Sequence, residues 1–121
     1  MISPDEQLRF MRRLYAEDLP VSRHAIATVK NILIQPFGVI VNATGEHPFP
    51  ESLENVSRRV SAKTGSATDR QGKAVRWIVG HVRRGSGEWL FVSAVTGGED
   101  LPALAAVDLA AKRLRDEHVL R

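Results

Sequence analysis

The sequence contains no cysteine. This absence excludes disulfide bonds, thiolate metal sites and thiol nucleophiles, and it leaves the redox compartment open, because cysteine-free chains occur in both environments. The four histidines are scattered without the spacing of metal ligands. We therefore expect neither a metal site nor another cofactor.

Long apolar runs are also missing. None approaches the roughly 20 residues of a membrane-spanning helix, and the N-terminus lacks the charged-then-apolar pattern of a signal peptide. The formal net charge of +3 is spread along the chain rather than gathered in one tract, so we expect no nucleic-acid partner. A length of 121 residues with 43% hydrophobic positions predicts one globular domain over residues 1–121.

A third absence concerns nucleophiles. No serine is followed by lysine at the third position, so the S-x-x-K pair of serine acyltransferases does not occur. His24 begins a predicted helix and His81 follows apolar residues on a predicted strand. Neither has a serine in a nucleophile-elbow context, so we interpret both as structural or surface residues. The sequence predicts no catalytic residue.

The N-terminal third predicts two helices. Ser3-Pro4-Asp5-Glu6 is a capping box with proline at the first helical position, and apolar residues then recur at helical spacing over 4–17. Leu19-Pro20-Val21-Ser22 ends this helix and caps a second one, which Gln35-Pro36 terminates. A short strand over 37–43 and a loop over 44–50 should follow.

From residue 57 the apolar period changes to two, which predicts three consecutive antiparallel strands. Turns over 69–72 and 84–87 should connect them, and a helix from about Leu101 to Glu117 should follow. The aromatic residues of these strands are interpreted as core rather than as a ligand-stacking platform. The prediction is an α+β fold with helices packed on a three-stranded antiparallel meander.

Lys63, Thr64 and Gly65, followed by Ser66, lie late in the first predicted strand. A cation, a hydroxyl and a glycine in series can bind an anion, because glycine lets a ligand approach the backbone closely. Alternation places Val60 and Ala62 on one face and Lys63 on the other, so Lys63 should be partly exposed. The three letters alone also fit a solvated turn.

The order of motifs carries more information. It comprises Ile2-Ser3-Pro4-Asp5-Glu6-Gln7 opening the first helix, Leu14-Tyr15, Leu19-Pro20-Val21-Ser22, Ala62-Lys63-Thr64-Gly65 and Trp77-Ile78-Val79-Gly80. This order resembles the C-terminal part of class D β-lactamases and the related penicillin-binding sensor domains, over nearly the whole chain. The resemblance implies the penicilloyl-serine transferase fold, in which the K-T-G strand flanks the cleft.

By the same resemblance, Lys63 and Thr64 contact the β-lactam carboxylate, and Gly65 leaves room for it. The backbone N–H of Ser66 completes the oxyanion hole, and Trp77 supports the strand from behind. The binding residues that the resemblance implies are therefore Lys63, Thr64, Gly65, Ser66 and Trp77.

The sequence also departs from that family. The family's S-x-x-K and S-x-V motifs lie upstream of the region that this chain resembles, and no basic residue occurs between Val95 and Lys112, where class D enzymes commonly place a carboxylate-binding arginine. We expect a truncated or split penicillin-binding or β-lactamase-like protein that is not catalytic alone. Its ligand would be a β-lactam or a peptidoglycan-like molecule.

The alternative is a small α+β protein-interaction module without β-lactam chemistry. In the parent fold the two N-terminal helices and one face of the sheet pack against segments absent from this chain. A truncated form would leave an apolar patch exposed, so we expect a homodimer or a complementing partner chain. The resemblance implies a location outside the cytoplasm, although the N-terminus shows no signal peptide.

Overall fold

The computed structural model describes residues 3–36, 38–50 and 59–120. Helix α1 spans Pro4–Tyr15 and helix α2 spans Arg23–Leu33. Both predicted caps are present, since the Oγ of Ser3 accepts from the N–H of Glu6 at 3.2 Å and the Oγ of Ser22 accepts from the N–H of Ala25 at 3.1 Å.

The first helix ends two residues earlier than predicted. Glu17 has a φ of 58°, and the N–H of Asp18 donates to the carbonyl of Arg13 at 2.8 Å. A left-handed residue followed by such a bond is a common helix C-terminus. The apolar spacing had indicated a helix through residue 17, but the backbone leaves the helix at this point.

The segment after α2 forms a small hairpin. Strand β1 spans Val39–Asn42 and pairs antiparallel with β2, which spans Gly45–Pro48. The strand predicted over 37–43 is thus present in its described part, but the loop predicted over 44–50 is wrong for β2. The glycine and prolines of residues 44–50 suggested a loop. In the structure Gly45, at a φ of 119°, makes the turn that allows the strand to follow.

The predicted meander is confirmed. Strand β3 spans Arg59–Thr68, β4 spans Ala74–Arg84 and β5 spans Gly87–Gly97, in the order β3-β4-β5. Both pairings are antiparallel. The side chain of Asp69 closes the first turn by accepting from the N–H groups of Gln71 and Lys73.

Helix α3 spans Ala105–Asp116, which is shorter than the predicted 101–117. Pro102 keeps Leu101 out of the helix, because a residue before proline is disfavoured in helical conformation. The chain turns first, with the N–H of Ala105 donating to the carbonyl of Pro102. The side chain of Leu101 packs against Gly97 at the end of β5 instead of joining the helix.

The meander has helices on both faces. Helix α3 packs on one face, where Val60, Ala62, Ile78 and Val82 join its apolar side in the main core. Helices α1 and α2 cover the other face around Met11, Leu14 and Ile26. The result is an α+β fold, as predicted, with β3 and β5 as the edge strands of the meander. Among the described helices, none is long and apolar enough to cross a membrane.

Candidate functional site at the K-T-G strand

The outer edge of β3 is half covered. Gln35 donates from its backbone N–H to the carbonyl of Val60 and from Nε2 to the carbonyl of Ala62, both at 2.9 Å. Its Oε1 accepts from the N–H of Val41 at 2.8 Å, so this one side chain joins β3 to β1. From Lys63 onward, no described strand pairs with this edge.

The register of Gln35 shows which backbone groups are available. The carbonyls of Val60 and Ala62 point to the outer edge, and along a strand every second residue points its N–H and C=O to the same side. The backbone groups of Thr64 and Ser66 therefore also point outward. The strand offers hydrogen-bonding groups to a ligand along this open part of its edge.

A cleft of about 330 Å³ wraps around the open edge. We call it the K-T-G cleft. The tip of the β1–β2 hairpin forms one wall, β3 and β4 form another, and the first turn of α3 closes the end. Its lining includes Asn42, Thr44, Lys63, Thr64, Gly65, Ser66, Arg76 and Trp77. The five residues implied by the family resemblance are therefore brought together.

Lys63 is exposed, as predicted. Its Nζ donates to the carbonyl of Thr64 at 2.7 Å, which holds the ammonium at the open edge. Its alkyl chain lines an apolar groove between α1, α2 and β4. Lys63 therefore lines both the K-T-G cleft and the apolar groove.

Arg76 is a cleft residue that the sequence analysis missed. It lies opposite Ser66 in the β3–β4 register, so its side chain leaves the face of the sheet opposite to that of Lys63 and lines the cleft from that side. No acidic side chain belongs to the cleft lining among the described residues. Arg76 is therefore a second cation in this lining. Its position opposite Ser66 would have identified it, but that position is known only from the strand register.

The hairpin wall of the cleft is held rigidly. The Oδ1 of Asn42 accepts from the N–H and the hydroxyl of Thr44 at 2.9 and 2.7 Å. The Nε2 of His47 lies 2.7 Å from the Thr44 hydroxyl and 3.0 Å from Asn42 Oδ1. This network fixes the polar tip that faces β3 across the cleft.

We expected Gly65 to leave room for a ligand, but on one face of the sheet it does not. A side chain at this position would overlap the indole of Trp77, its partner on β4. The space on the helix α1 side is therefore filled by tryptophan. Trp77 covers β3 directly as well as supporting it from β4.

The expectation that the S-x-V motif lies only upstream of this region also needs correction. The letters S-x-V do occur in the sequence, at Ser93-Ala94-Val95. This segment lies on β5, with β4 between it and the K-T-G strand, and Ser93 is buried. It is therefore not positioned to act in the cleft.

His81 is buried on the face covered by α1 and α2, in agreement with its structural interpretation. Its Nε2 lies 2.7 Å from Glu88 Oε1, and its ring stacks on Tyr15 with centroids 3.9 Å apart. Burial lowers the pKa of His81, and the charges of Arg83 and Lys30 add to this effect, while Glu88 opposes it.

Tyr15 shares that environment. Burial raises the pKa of its hydroxyl and outweighs the opposing effect of the neighbouring Ser61 hydroxyl. Although Ser61 is close, no described group meets the full geometry of a hydrogen bond to the Tyr15 hydroxyl, and that oxygen is buried. Ser61 lies opposite His81 in the β3–β4 register, near the start of β3 and outside the lining of the K-T-G cleft.

Comparison with solved structures identifies the fold. The C-terminal domain of the BlaR penicillin receptor of Bacillus licheniformis superposes with a TM-score of 0.74 at 21% identity, covering 99% of this chain and 42% of that one. A class D β-lactamase from Nostoc gives a TM-score of 0.74 at 20% identity, covering 97% and 41%. One from Fusobacterium nucleatum subsp. polymorphum gives 0.75 at 18%, covering 99% and 43%.

The chain therefore has the fold shared by class D β-lactamases and penicillin-receptor domains. It spans about two fifths of the length of these structures and fits their C-terminal part. The resemblance stated from the sequence motifs is confirmed at the level of fold. No protein-family model matches the sequence.

A comparison of sequences gives a different relative. The small ribosomal subunit protein uS7 of Treponema pallidum strain Nichols is 34% identical over 108 residues, which cover 76% of this chain and 68% of uS7. That share is about 92 of the 121 residues, so the alignment contains gaps. The two assignments disagree. The structural matches cover nearly all of the chain and establish its fold.

Proposed function

We propose that the K-T-G cleft binds the carboxylate of a β-lactam or a peptidoglycan-like ligand. The chain would then be the substrate-side part of a penicillin-binding or β-lactamase-like domain. The observation that supports this most is the joint placement of Lys63 and Arg76 in one cleft that follows an open strand edge. Two cations without a carboxylate in the described lining favour an anionic ligand.

The ligand contacts follow from the groups present. The Lys63 ammonium has three donors and uses one on the Thr64 carbonyl, so it can also donate to a carboxylate. The Thr64 hydroxyl and Arg76 would complete the carboxylate site. The outward N–H of Ser66 would donate to a carbonyl oxygen of the same ligand.

Binding by this chain would be reversible. The sequence has neither an S-x-x-K serine nor a cysteine, so it supplies no activated nucleophile for opening a β-lactam. We infer that the chain alone neither forms an acyl adduct nor hydrolyses the ligand. A second chain or segment would be needed to provide the serine.

The direct test is a titration of the isotope-labelled protein with benzylpenicillin, followed by amide chemical shifts. We expect shifts centred on Lys63–Ser66 and Arg76, and a Lys63→Gln variant that binds about tenfold more weakly, since one charge-assisted hydrogen bond is worth about 1.5 kcal/mol. Lys73→Gln, an exposed lysine in the β3–β4 turn, is the charge-matched control. Equal affinities for both variants would contradict the proposal.

A second candidate function is protein interaction, and the free side of β5 favours it. This strand pairs only with β4 among the described residues, and an apolar groove of about 410 Å³ runs between β5 and α3. Leu109 on the rim of this β5–α3 groove is 50% exposed. Such an edge and groove would suit a homodimer or a complementing chain.

The similarity to uS7 favours a third candidate function, association with the small ribosomal subunit, against our expectation of no nucleic-acid partner. If it reflected function, the chain would co-sediment with small ribosomal subunits in physiological salt. The fold-based proposal expects no such association, and the experiment separates the two directly.

A further inference from the structure

A second pocket lies at the opposite end of β3 from the K-T-G cleft. It has a volume of about 260 Å³ and lies where the start of β3 and the end of β4 meet helices α1 and α2. We call it the Tyr15–His81 pocket. It shares no lining residue with the K-T-G cleft, and its basic side chains are Lys30, Arg59 and Arg83.

The placement of the two arginines is unusual. Arg59 and Arg83 are direct partners in the antiparallel β3–β4 register, so their side chains leave the same face of the sheet side by side. Both are exposed, and neither forms a salt bridge with a carboxylate of the described residues. Like charges placed directly opposite destabilise a strand pair. Glu88 on β5, the direct partner of Arg83 on its other side, offsets part of this repulsion.

Lys30 brings a third positive charge from α2. Its Nζ lies 5.2 Å from the centroid of the Tyr15 ring and 3.4 Å from an oxygen of Glu17, which is half exposed. Among the described residues the lining contains one carboxylate, Glu88, which lies 2.7 Å from His81 and is the direct partner of Arg83 in the β4–β5 register. Three cationic side chains therefore face a single carboxylate in this lining.

The floor of the pocket is formed by two stacked rings. The Tyr15 and His81 rings stack with an interplanar angle of 5°, and Glu88 fixes the imidazole. The Tyr15 hydroxyl oxygen is fully buried, so it is closed to a ligand in the pocket.

We propose that the Tyr15–His81 pocket binds a phosphate group. Two guanidinium groups provide paired donors that match phosphate oxygens, and the Lys30 ammonium adds charge. A phosphate dianion would balance the positive charge that Glu88 leaves uncompensated. The volume suits inorganic phosphate or the phosphate end of a small ester.

The test uses inorganic phosphate as the probe, added at constant ionic strength against chloride. We expect phosphate to raise the thermal midpoint of the wild-type protein and to shift the side-chain resonances of Arg59 and Arg83. The double variant Arg59→Gln/Arg83→Gln should bind phosphate at least tenfold more weakly.

Arg9→Gln/Arg115→Gln is the control, since it removes the same charge from two exposed arginines outside the pocket. It should keep the full phosphate response, as should Lys63→Gln, which separates this site from the K-T-G cleft. The proposal is overturned if phosphate acts no differently from chloride at equal ionic strength. It is overturned equally if the control pair loses as much affinity as the pocket pair.

Discussion

Gly65 and Trp77 are direct partners across β3 and β4, and the indole of Trp77 occupies the space that a side chain at position 65 would need. The glycine of the K-T-G triplet is thus required by packing within the sheet. Its small size brings the tryptophan over the strand that carries Lys63. Packing against Trp77 therefore constrains this residue.

We predict that Gly65→Ala lowers the free energy of unfolding by about 1–3 kcal/mol, because the new methyl group must displace the indole. Urea denaturation monitored by tryptophan fluorescence measures this. In a Trp77→Ala background the same substitution should cost much less. Additive effects of the two substitutions would show that Gly65 and Trp77 are not coupled.

Gln35 offers a test of how the hairpin is attached. It bonds to Ala62 on β3 and to Val41 on β1, so Gln35→Ala should cost about 1–3 kcal/mol by leaving partly buried groups unpaired. Hydrogen exchange at the Val41 amide should become faster. Gln71→Ala, in the exposed β3–β4 turn, is the control and should leave that amide unchanged. If exchange is the same in both variants, Gln35 does not hold β1 to β3.

Sequence reasoning predicted the elements better than the contacts between them. Period-two alternation correctly gave three antiparallel strands and exposed Lys63, since this pattern depends on local burial. It missed β2, whose glycine and proline resemble a loop. It also missed Arg76 as a neighbour of Ser66 and the arginine pair at the other end of β3, because both depend on strand register, which distant residues determine.

Acid sensitivity should arise at His81. Its folded-state pKa lies below its ordinary value because of burial, with Lys30 from α2 and Arg83 from β4 adding to this and Glu88 from β5 opposing it. Between the two pKa values the unfolded chain binds more protons, so this contribution to stability is present above the ordinary histidine pKa and is lost as pH falls through the folded value.

Unfolding experiments across that window, from about pH 7 downward, should therefore show a loss of stability that His81→Gln reduces. His24→Gln, on an exposed part of α2, is the control. A pH dependence that is the same in wild type and His81→Gln would mean that another group causes the acid sensitivity.

Self-association should depend on the β5–α3 groove. If that groove is the contact between copies, Leu109→Glu should convert a dimer into a monomer, because it places a charge on an exposed apolar rim without disturbing the core. Val21→Glu, at 55% exposure outside the groove, should leave the dimer intact. Sedimentation equilibrium at micromolar concentration measures both variants, and a monomeric wild-type protein would refute the homodimer.

The central claim, reversible binding of a β-lactam at the K-T-G cleft without acylation, is tested most directly with a fluorescent penicillin. Fluorescence anisotropy should rise on adding the native wild-type protein, less with Lys63→Gln and equally with Lys73→Gln. After denaturation in detergent, no label should remain on the chain. Label that survives denaturation would reveal a nucleophile that the sequence does not indicate, and anisotropy independent of Lys63 would show that the cleft is not the binding site.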